Sequence, residues 1–417
     1  MKLIAGTGLN LTSGAPGDLD GADRLMAHWA EIKCSHVEIS ARRLDVVLGG
    51  GFVPGSVVLL AGQPGIGKST ILMQIAHKVS TDNAVLYVSG EESSHQVASR
   101  AKRLGSVNDD LKLTSSTSAD DIAKTILEDG YDVVVVDSIQ TLSVEAISSA
   151  AGSVSQITNS TQLLTKAAKQ SNTVLIIVGH VTKEGSIAGP KVLEHSVDAV
   201  LQFEGDRYGG FKVLRSVKNR YGSTNEAAIY EMEQEGLRPV LNPSAALLAE
   251  RQIVDGSVVL ATMEGTRPVL VEIQALVNPT SYGYPKRAAS GFDLNRLNLL
   301  IAMLERRTKL TLSDKDIYVN VVGGIKITEP AADLAIAMAI GSAAKGLQLK
   351  QNAVVFGELG LSGEVRHVPH VDKRVAEAKK LGFEAAIGPS VKSGKKPALL
   401  APIKDIRSAL NSFLEKE

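Results

Sequence analysis

A glycine-rich segment at residues 62–69 is the feature that most limits how this chain can fold. It fits the pattern G-x-x-x-x-G-K-[ST], with the apolar run VVLLA directly before it and the helical run STILMQIAHKV around its end. A chance glycine-rich turn would not have a strand and a helix in register on its two sides. The segment therefore predicts a phosphate-binding loop made of Gly62, Gln63, Pro64, Gly65, Ile66, Gly67, Lys68, Ser69 and Thr70.

The residue types of this loop suit a nucleoside triphosphate with its metal ion. Glycines let backbone N–H groups close around phosphates, and the N-terminus of the following helix adds positive potential. Lys68 is expected to reach the outer phosphates, and the hydroxyl of Ser69 to ligate magnesium. ATP and Mg²⁺ are therefore the predicted cofactors.

Short apolar runs alternate with amphipathic segments after the loop, which is typical of a parallel sheet with helices on both faces. The first runs are VVLLAG (57–62), AVLYVS (84–89), DVVVVDS (132–138) and TVLIIVGH (173–180). Short turns link the next runs, which predict an antiparallel extension of the sheet. These are AVLQF (199–203), FKVLRSV (211–217) and AAIYEM (227–232). The expected fold class is α/β with a mainly parallel sheet.

The length of 417 residues exceeds one ordinary core, so two domains are expected. The first domain ends near Pro243, and a hairpin pattern at 257–277 then begins a second α/β unit, in which strands and helices alternate differently. Its helices are expected near 293–307 and 330–344, and its further strands near 316–322 and 352–356. The predicted division is an arm of uncertain structure at 1–40, a nucleotide-binding domain at 41–243 and a smaller α/β domain at 244–417.

Polar residues at the ends of the apolar runs are the catalytic candidates. Asp137 ends a buried run, at the sheet edge where ligands bind, and is predicted to hold magnesium; the alternative is an aspartate that caps the next turn. Glu91 is favoured over Glu92 to orient the attacking water, if the strand before them neighbours the strand of the phosphate-binding loop. The alternative is that both carboxylates only stabilise the N-terminus of the next helix by their negative charge. His180 is predicted to sense the outer phosphate, or is a hydrogen-bonded histidine at a strand end.

Composition excludes several classes of protein. Lys plus Arg and Asp plus Glu both total 45, so any nucleic-acid site must come from local patches. The single cysteine, Cys34, excludes an internal disulfide and a four-cysteine zinc site, so no zinc is expected. Neither an apolar run of about 18 residues nor a targeting signal is evident, which predicts a cytoplasmic protein that does not bind membranes.

Several segments of the chain resemble the bacterial RadA family, also called Sms. They are LDVVLGGGFVPGSVVLLAGQPGIGKST, LYVSGEES, VVVVDSIQT, SSAAGSVSQIT, LEHSVDAVLQFEGDR and KNRYG at 218–222. The resemblance runs from about residue 42 to near the end, and KNRYG is its most specific part. It implies a RecA-like domain in a homohexamer that encircles single-stranded DNA, acts on branched recombination intermediates and works with a recombinase of the RecA type.

The resemblance also assigns roles to KNRYG and to two loops. In related ring motors a Lys-x-Arg pair reaches the nucleotide of the neighbouring subunit, and Lys218 and Arg220 have that spacing. Alternate residues of an extended strand share one face, so both cations are expected on the same face; a solvated basic strand end is the alternative. The segments Thr141–Ser155 and Thr182–Pro190, which contains Lys183, resemble DNA-facing loops whose composition suits ordering on a ligand. They could equally be ordinary surface loops.

The second domain resembles the proteolytic domain of Lon. The nucleophilic serine of Lon would fall at Ala331, and its lysine near Lys373 or Arg374. Since alanine cannot be a nucleophile, a non-proteolytic scaffold is expected. A basic patch is a candidate surface for duplex DNA, or else a solvated helix face. It comprises Lys286, Arg287, Arg296, Arg306, Arg307 and Lys309.

Three functions therefore remain in competition. The leading hypothesis is an ATP-dependent DNA motor of recombinational repair. A nucleotide-gated ring that assembles recombination partners without translocation is the alternative. An ATP-dependent protease is the third, and Ala331 argues against it. The family usually begins with a four-cysteine zinc finger, which Cys34 alone cannot form.

Overall fold

The computed structural model describes residues 44–180, 192–205, 211–281, 283–349, 352–391 and 397–415. Within these ranges one sheet has nine strands and a second has seven, and two ribbons have two strands each. The predicted α/β fold is confirmed. No helix in the described ranges is both long and apolar enough to cross a membrane.

The first sheet has the strand order β3-β2-β4-β5-β1-β6-β7-β8-β9. Its strands are β1 (Val57–Gly62), β2 (Val85–Ser89), β3 (Leu111–Ser115), β4 (Val133–Asp137), β5 (Val174–His180), β6 (Ala199–Gly205), β7 (Phe211–Asn219), β8 (Ala227–Glu233) and β9 (Gly236–Pro239). The strands from β3 to β6 in this order are parallel, and β7, β8 and β9 are antiparallel.

Helices lie against both faces of this sheet, which is why its central strands are apolar throughout. All residues of β1, β2 and β4 are buried. These helices are α1 (Leu44–Leu48), α2 (Lys68–Val79), α3 (Ser94–Arg103), α4 (Ala119–Glu128), α5 (Val154–Ser171) and α6 (Val192–Ser196). The next helix, α7 (Pro243–Leu247), follows the sheet and packs in the core of the second sheet. Alternate residues of each strand enter one of two cores, so that Val58 and Leu60 pack with α2 while Val57 and Leu59 pack with α5.

Two expectations about this sheet are wrong. The run AVLQF forms β6, which is parallel to β1, so the antiparallel extension begins only at β7. The strand before Glu91 is β2, and both β4 and β5 lie between it and β1. Apolar content predicts each strand but not its place, because order is decided by contacts between distant segments.

The second sheet has the order β12-β13-β11-β10-β15-β18-β19. Its strands are β10 (Ser257–Glu264), β11 (Arg267–Pro279), β12 (Arg287–Ser290), β13 (Lys315–Val321), β15 (Ala353–Val355), β18 (Ala385–Pro389) and β19 (Leu400–Ile403); the ribbons pair β14 (Gln348–Leu349) with β20 (Leu414–Glu415) and β16 (Glu358–Leu359) with β17 (Val365–Arg366). The helices are α8 (Leu294–Thr308), α9 (Asp333–Lys345), α10 (Val371–Lys380) and α11 (Ile406–Ser412). The predicted hairpin is β10–β11.

The two sheets meet where the tip of the β10–β11 hairpin contacts β7. Phe211, Val213 and Ile229 of the first sheet belong to the buried core of the second. Arg215 on β7 lies between carboxylates of both sheets, with Nη2 2.7 Å from Oε2 of Glu264 and Nη1 3.4 Å from Oε2 of Glu204. A shared apolar core and a shared arginine therefore hold the sheets together.

The carboxyl group of Glu264 makes this contact sensitive to pH. Burial raises its pKa to about 7, although Arg215 acts in the opposite direction and Glu329 and Glu204 add to the rise. The folded protein therefore holds a proton that the unfolded chain releases near its ordinary pKa of 4.5. The stabilising contribution is complete below that value and is lost as pH rises through about 7.

We expect Glu264→Gln to flatten the dependence of stability on pH. From pH 5 to 8 the free energy of unfolding of the wild type should fall by about 2 to 3 kcal/mol more than that of the variant. Urea unfolding across this range measures the difference. Glu204→Gln should reduce the slope only in part, because it removes the smallest of the named influences on the pKa of Glu264. Equal slopes for Glu264→Gln and the wild type would contradict the assignment.

Candidate functional site

The loop between β1 and α2 has the backbone of a phosphate cradle. Gly65 and Gly67 have φ values of +78° and +112°, which favour glycine. A Cβ atom at Gly62 would lie 2.7 Å from the carbonyl oxygen of Phe203 on the adjacent strand β6. Pro64 and Gly65 are exposed, so the cradle is open to a ligand.

Lys68 begins α2 and is almost completely buried. Its Nζ lies 2.9 Å from the carbonyl oxygen of Gly62, 3.0 Å from that of Gln63 and 3.1 Å from Nδ1 of His180. Burial lowers the pKa of Lys68, while the carboxylates of Asp137 and Glu91 raise it. The ammonium group is therefore held inside the cradle by acceptors that the phosphates of a ligand could replace.

His180 connects Lys68 to Glu91. Its Nε2 lies 3.2 Å from Oε1 of Glu91, and that oxygen also accepts a hydrogen bond of 2.6 Å from the hydroxyl of Ser138. The network is satisfied when Nδ1 accepts from the ammonium group of Lys68 and Nε2 carries the proton. Burial, the largest influence, raises the pKa of Glu91, but the hydrogen bonds from Ser138 and His180 and the charge of Lys68 together lower it.

The geometry separates Glu91 from Glu92. The carboxylate of Glu92 forms an ion pair with Arg100 of α3, away from the contacts of Glu91. Neither carboxylate caps α3, because Ser93 is its N-cap and forms a capping box with Gln96. Although β2 does not adjoin β1, the loop after β2 brings Glu91 across β4 to His180.

Asp137 lies at the buried end of β4, and its Oδ2 accepts a hydrogen bond of 2.7 Å from the hydroxyl of Tyr87. Burial, together with the charge of Asp137, raises the pKa of Tyr87 well above its ordinary value, so the phenol stays a donor. The peptide bond from Asp137 to Ser138 is cis. A fixed carboxylate, together with the loop hydroxyl of Ser69, fits magnesium, which prefers oxygen ligands. Within the described ranges, no cluster of three or more His, Cys, Asp or Glu side chains could hold a metal.

Lys218 and Arg220 lie near the start of β1, whereas the cradle of the same chain lies at the end of that strand. Arg220 follows the end of β7, is exposed, and places Nη1 3.0 Å from Oδ1 of Asp198, whose Oδ2 accepts from the N–H of Val57 at the start of β1. The strand from Val57 to Gly62 spans roughly 17 Å. Lys218 instead turns inward, and its Nζ donates to the carbonyl oxygens of Glu194 and Val197.

This difference corrects the expectation that the two cations share one strand face. Only Lys218 lies within β7, where its partner on β6 is Val200, and Arg220 lies beyond the strand. Burial and the charge of Arg220 lower the pKa of Lys218. In the single chain, therefore, Arg220 is the exposed cation of the pair.

The turn after Arg220 packs tightly on the segment that follows α1. A Cβ atom at Gly222 would lie 2.7 Å from Cα of Gly49, and Asn219 Nδ2 donates to the carbonyl oxygen of Leu48 at 3.0 Å. The two backbones can approach this closely only because both positions are glycine. The KNRYG segment is thus fixed to α1.

Helix α10 carries both residues near which the lysine of Lon is expected, Lys373 and Arg374. Arg374 is fully buried, its Nη2 lies 2.7 Å from Oε2 of Glu329, and its guanidinium group stacks on Phe356 at 5.7 Å. Ala331 is also buried. Lys373 is a less suitable position, because its Nζ points to the carbonyl oxygen of Thr266 at the hairpin tip.

The residues proposed for DNA contact are only partly described. Lys183 and the segment Thr182–Pro190 lie outside the described residues. Lys286 and Arg287 are at the edge strand β12, where Arg287 is partly buried. Arg296 is not available as a free cation, because it forms an ion pair with the buried Asp333. Thr141–Ser155 is held in place by Gln156, whose Nε2 donates to the carbonyl oxygens of Ile147 and Ser149 at 2.9 and 3.0 Å.

Three participants in these contacts were not anticipated from the sequence. Ser138 directly follows Asp137, and this position beside a predicted magnesium ligand is the sequence signal that could have identified it. Tyr87 is the one aromatic residue of β2, inside a run that indicates only burial. Asp198, which binds Arg220, precedes β6 and gives no sequence signal, because its partners are distant in the chain.

Comparison with known proteins agrees with this architecture. Residues 32–186 match the family model of an AAA domain, and residues 298–392 match that of subunit ChlI of Mg-chelatase. Among solved structures, the RadB recombinase is 21% identical, with a TM-score of 0.39 over 48% of this chain and 97% of its own.

Curated relatives carry the name DNA repair protein RadA. That of Halalkalibacterium halodurans is 50% identical over 86% of this chain and 79% of its own length. That of Bacillus subtilis is 53% identical over 82% and 76%, and that of Aquifex aeolicus 49% identical over 83% and 78%. The chain, a RecA-like P-loop ATPase fold followed by a second α/β unit, therefore belongs to the RadA family of DNA repair proteins.

Proposed function

We propose that this chain is an ATP-dependent motor that acts on single-stranded DNA and on branched intermediates of recombinational repair. The observation that carries the proposal is the set of contacts that joins Lys68, His180 and Glu91 beside the phosphate cradle in a RadA family member. A cation beside the phosphates and a carboxylate that can orient water are parts that phosphoryl transfer to water uses, and His180 connects the two.

Each side chain then has a distinct role. The ammonium group of Lys68 turns from the carbonyl oxygens of the cradle to the outer phosphates and stabilises charge that develops there. Ser69 and Asp137 would hold Mg²⁺, which would offset negative charge on the phosphate oxygens. Glu91 orients the attacking water, and its lowered pKa keeps it ionised. His180 links Glu91 to Lys68 and so responds to the outer phosphate.

Arg220 completes the site of a neighbouring subunit in a homohexamer. Its location about one strand length from its own cradle supports action in trans, since an arginine side chain is shorter than that distance. A cation supplied across an interface can add roughly 10³ to 10⁵ in hydrolysis rate. Lys218 supports this function by fixing β7 to the end of α6.

The second unit serves as a scaffold without peptidase activity and offers a basic edge to duplex DNA. Ala331 lacks a nucleophile, and the ion pair of Arg374 with Glu329 occupies the place of a general base. Lys286 and Arg287 remain the proposed DNA contacts of this unit, and Lys183 that of the first. A recombinase of the RecA type is the proposed protein partner.

A nucleotide-gated scaffold that assembles partners without moving on DNA is the alternative. The hydrolysis rate with and without single-stranded DNA, measured with the particle mass by light scattering in the same samples, tests the motor. We expect DNA to increase the turnover of a hexamer. Turnover that DNA leaves unchanged would favour the scaffold, and failure to hydrolyse ATP would contradict both.

The assignment of Glu91 can be tested against its neighbour. Glu91→Gln should lower the maximal hydrolysis rate by about 10² or more while ATP binding is retained, because the water loses its orienting group. Glu92→Gln is the matched control and should stay close to the wild type, because that carboxylate pairs with Arg100. Steady-state rates and binding of a fluorescent nucleotide distinguish the two. A larger loss for Glu92→Gln would reverse the assignment.

Mixing two inactive variants tests action in trans. Lys68→Ala removes the charge of its own cradle but retains Arg220, and Arg220→Ala has an intact cradle but cannot complete its neighbour's site. A junction that places the intact Arg220 against the intact cradle has every required group. Mixtures should therefore regain part of the DNA-stimulated hydrolysis that neither variant has alone.

The control for this experiment is subunit exchange, shown by fluorescent labels on the two variants. Exchanged rings that stay inactive, together with normal hydrolysis by Arg220→Ala alone, would contradict the assignment. Arg220 would then be a contact to the DNA backbone, and its loss would weaken binding and reduce its salt dependence.

A further inference from the structure

Gln140 lies between the nucleotide site and the predicted DNA-facing loop Thr141–Ser155. It is in the 3-10 turn Ile139–Thr141, two residues after Ser138, which donates to Glu91. A Cβ atom at Gly179 would lie 4.0 Å from Gln140 Nε2, and Gly179 directly precedes His180. A Cβ atom at Gly152, in the predicted loop, would lie 3.5 Å from the carbonyl oxygen of Gln140.

The carboxamide of Gln140 is buried without a hydrogen-bond partner among the residues that the structure describes. Both Nε2 and Oε1 are shielded from solvent and unpaired. Such groups are rare in native proteins, because burial removes water and nothing replaces it. An amide with two donors and one acceptor in this state indicates that another state of the protein supplies its partners.

Gln156, the glutamine at the other end of the loop, does not share this unpaired state. The two glutamines lie at opposite ends of the same loop, and both are shielded. The amide of Gln156 accepts from the N–H of Val144 at 2.8 Å and donates to carbonyl oxygens of the loop, among them those of Ile147 and Ser149. One glutamine therefore holds the loop, while the other has no partner in the part of the chain that the structure describes.

The ladder of β5 shows where a partner is available. On one side β5 pairs with β1 as far as His180, which is opposite Gly62. On the other side its pairing with β4 ends earlier, at Ile177 opposite Val136. Gln140 follows β4 and lies beside Gly179, so its amide is next to the part of β5 that β4 no longer covers.

We propose that Gln140 is a positioning residue that couples DNA binding to hydrolysis by bonding to the main chain of β5 on either side of Gly179, at the carbonyl oxygen of Val178 and the N–H of His180, which face the side that β4 leaves uncovered. When single-stranded DNA engages Thr141–Ser155, the 3-10 turn shifts and the amide bonds to the uncovered side of β5. This fixes His180 between Lys68 and Glu91 and leaves the phosphate cradle unchanged. The inference rests on the DNA dependence in the proposed function.

Gln140→Met tests the inference in the intact chain, because methionine keeps the volume and removes the hydrogen bonds. The factor by which an unstructured single-stranded oligonucleotide increases kcat should fall about tenfold, as expected for one lost hydrogen bond at a reacting site. The KM for ATP should not change. The melting temperature should stay the same or rise, because an unpaired buried amide is removed.

Gln156→Met is the matched control, because it removes an amide that is already paired. Its melting temperature should fall with the loss of the loop contacts. Hydrogen exchange supplies a second measurement: DNA with a nonhydrolysable nucleotide should slow exchange at the N–H of His180 in the wild type but not in Gln140→Met. Opposite effects on stability and DNA stimulation in Gln140→Met would support the proposal, since a purely structural role lowers both together.

Two results overturn it, and they are distinguishable. If DNA stimulates the wild type and Gln140→Met equally, or if exchange at His180 is unchanged by DNA in the wild type, the role of Gln140 is wrong and the motor stands. If DNA fails to stimulate the wild type, the proposed function is wrong and the role of Gln140 falls with it.

Discussion

The register of the parallel ladders around β1 determines what the rest of the molecule can do. Gly62 lies opposite His180 on β5 and opposite Phe203 on β6, so the phosphate cradle is built between two strand ends. A shift of one residue would point His180 to the other face of the sheet. Lys68 would then lose its side-chain partner, and Glu91 its link to the cradle. The candidate site is thus a consequence of pairing between segments that are distant in the sequence.

Asp198 fixes the opposite end of β1, where the strand begins. Its buried carboxylate accepts hydrogen bonds from the N–H of Val57, from Lys169 and from Arg220. An anion in this place fixes the start of β1 and holds an exposed guanidinium group beside it. The same strand therefore begins beside an exposed arginine and ends at the phosphate cradle.

Local patterns predict the parts of this protein whose chemistry is carried by consecutive residues. The cradle, Asp137 at the end of a buried run and the β10–β11 hairpin were all evident from the sequence. The place of β2 in the sheet, the inward turn of Lys218 and the ion pair of Arg296 with Asp333 were not. Each of these depends on a partner that folding brings from elsewhere, and composition contains no signal for such pairings.

The shared core of the two sheets also bears on how the chain folds during synthesis. The first sheet is complete in the sequence by residue 239, but Phe211, Val213 and Ile229 pack against residues that follow it. These apolar side chains stay exposed until the β10–β11 hairpin has left the ribosome and docked. The nucleotide-binding unit thus has an apolar face that only a later segment of the chain covers, and exposed faces of this kind favour aggregation during synthesis.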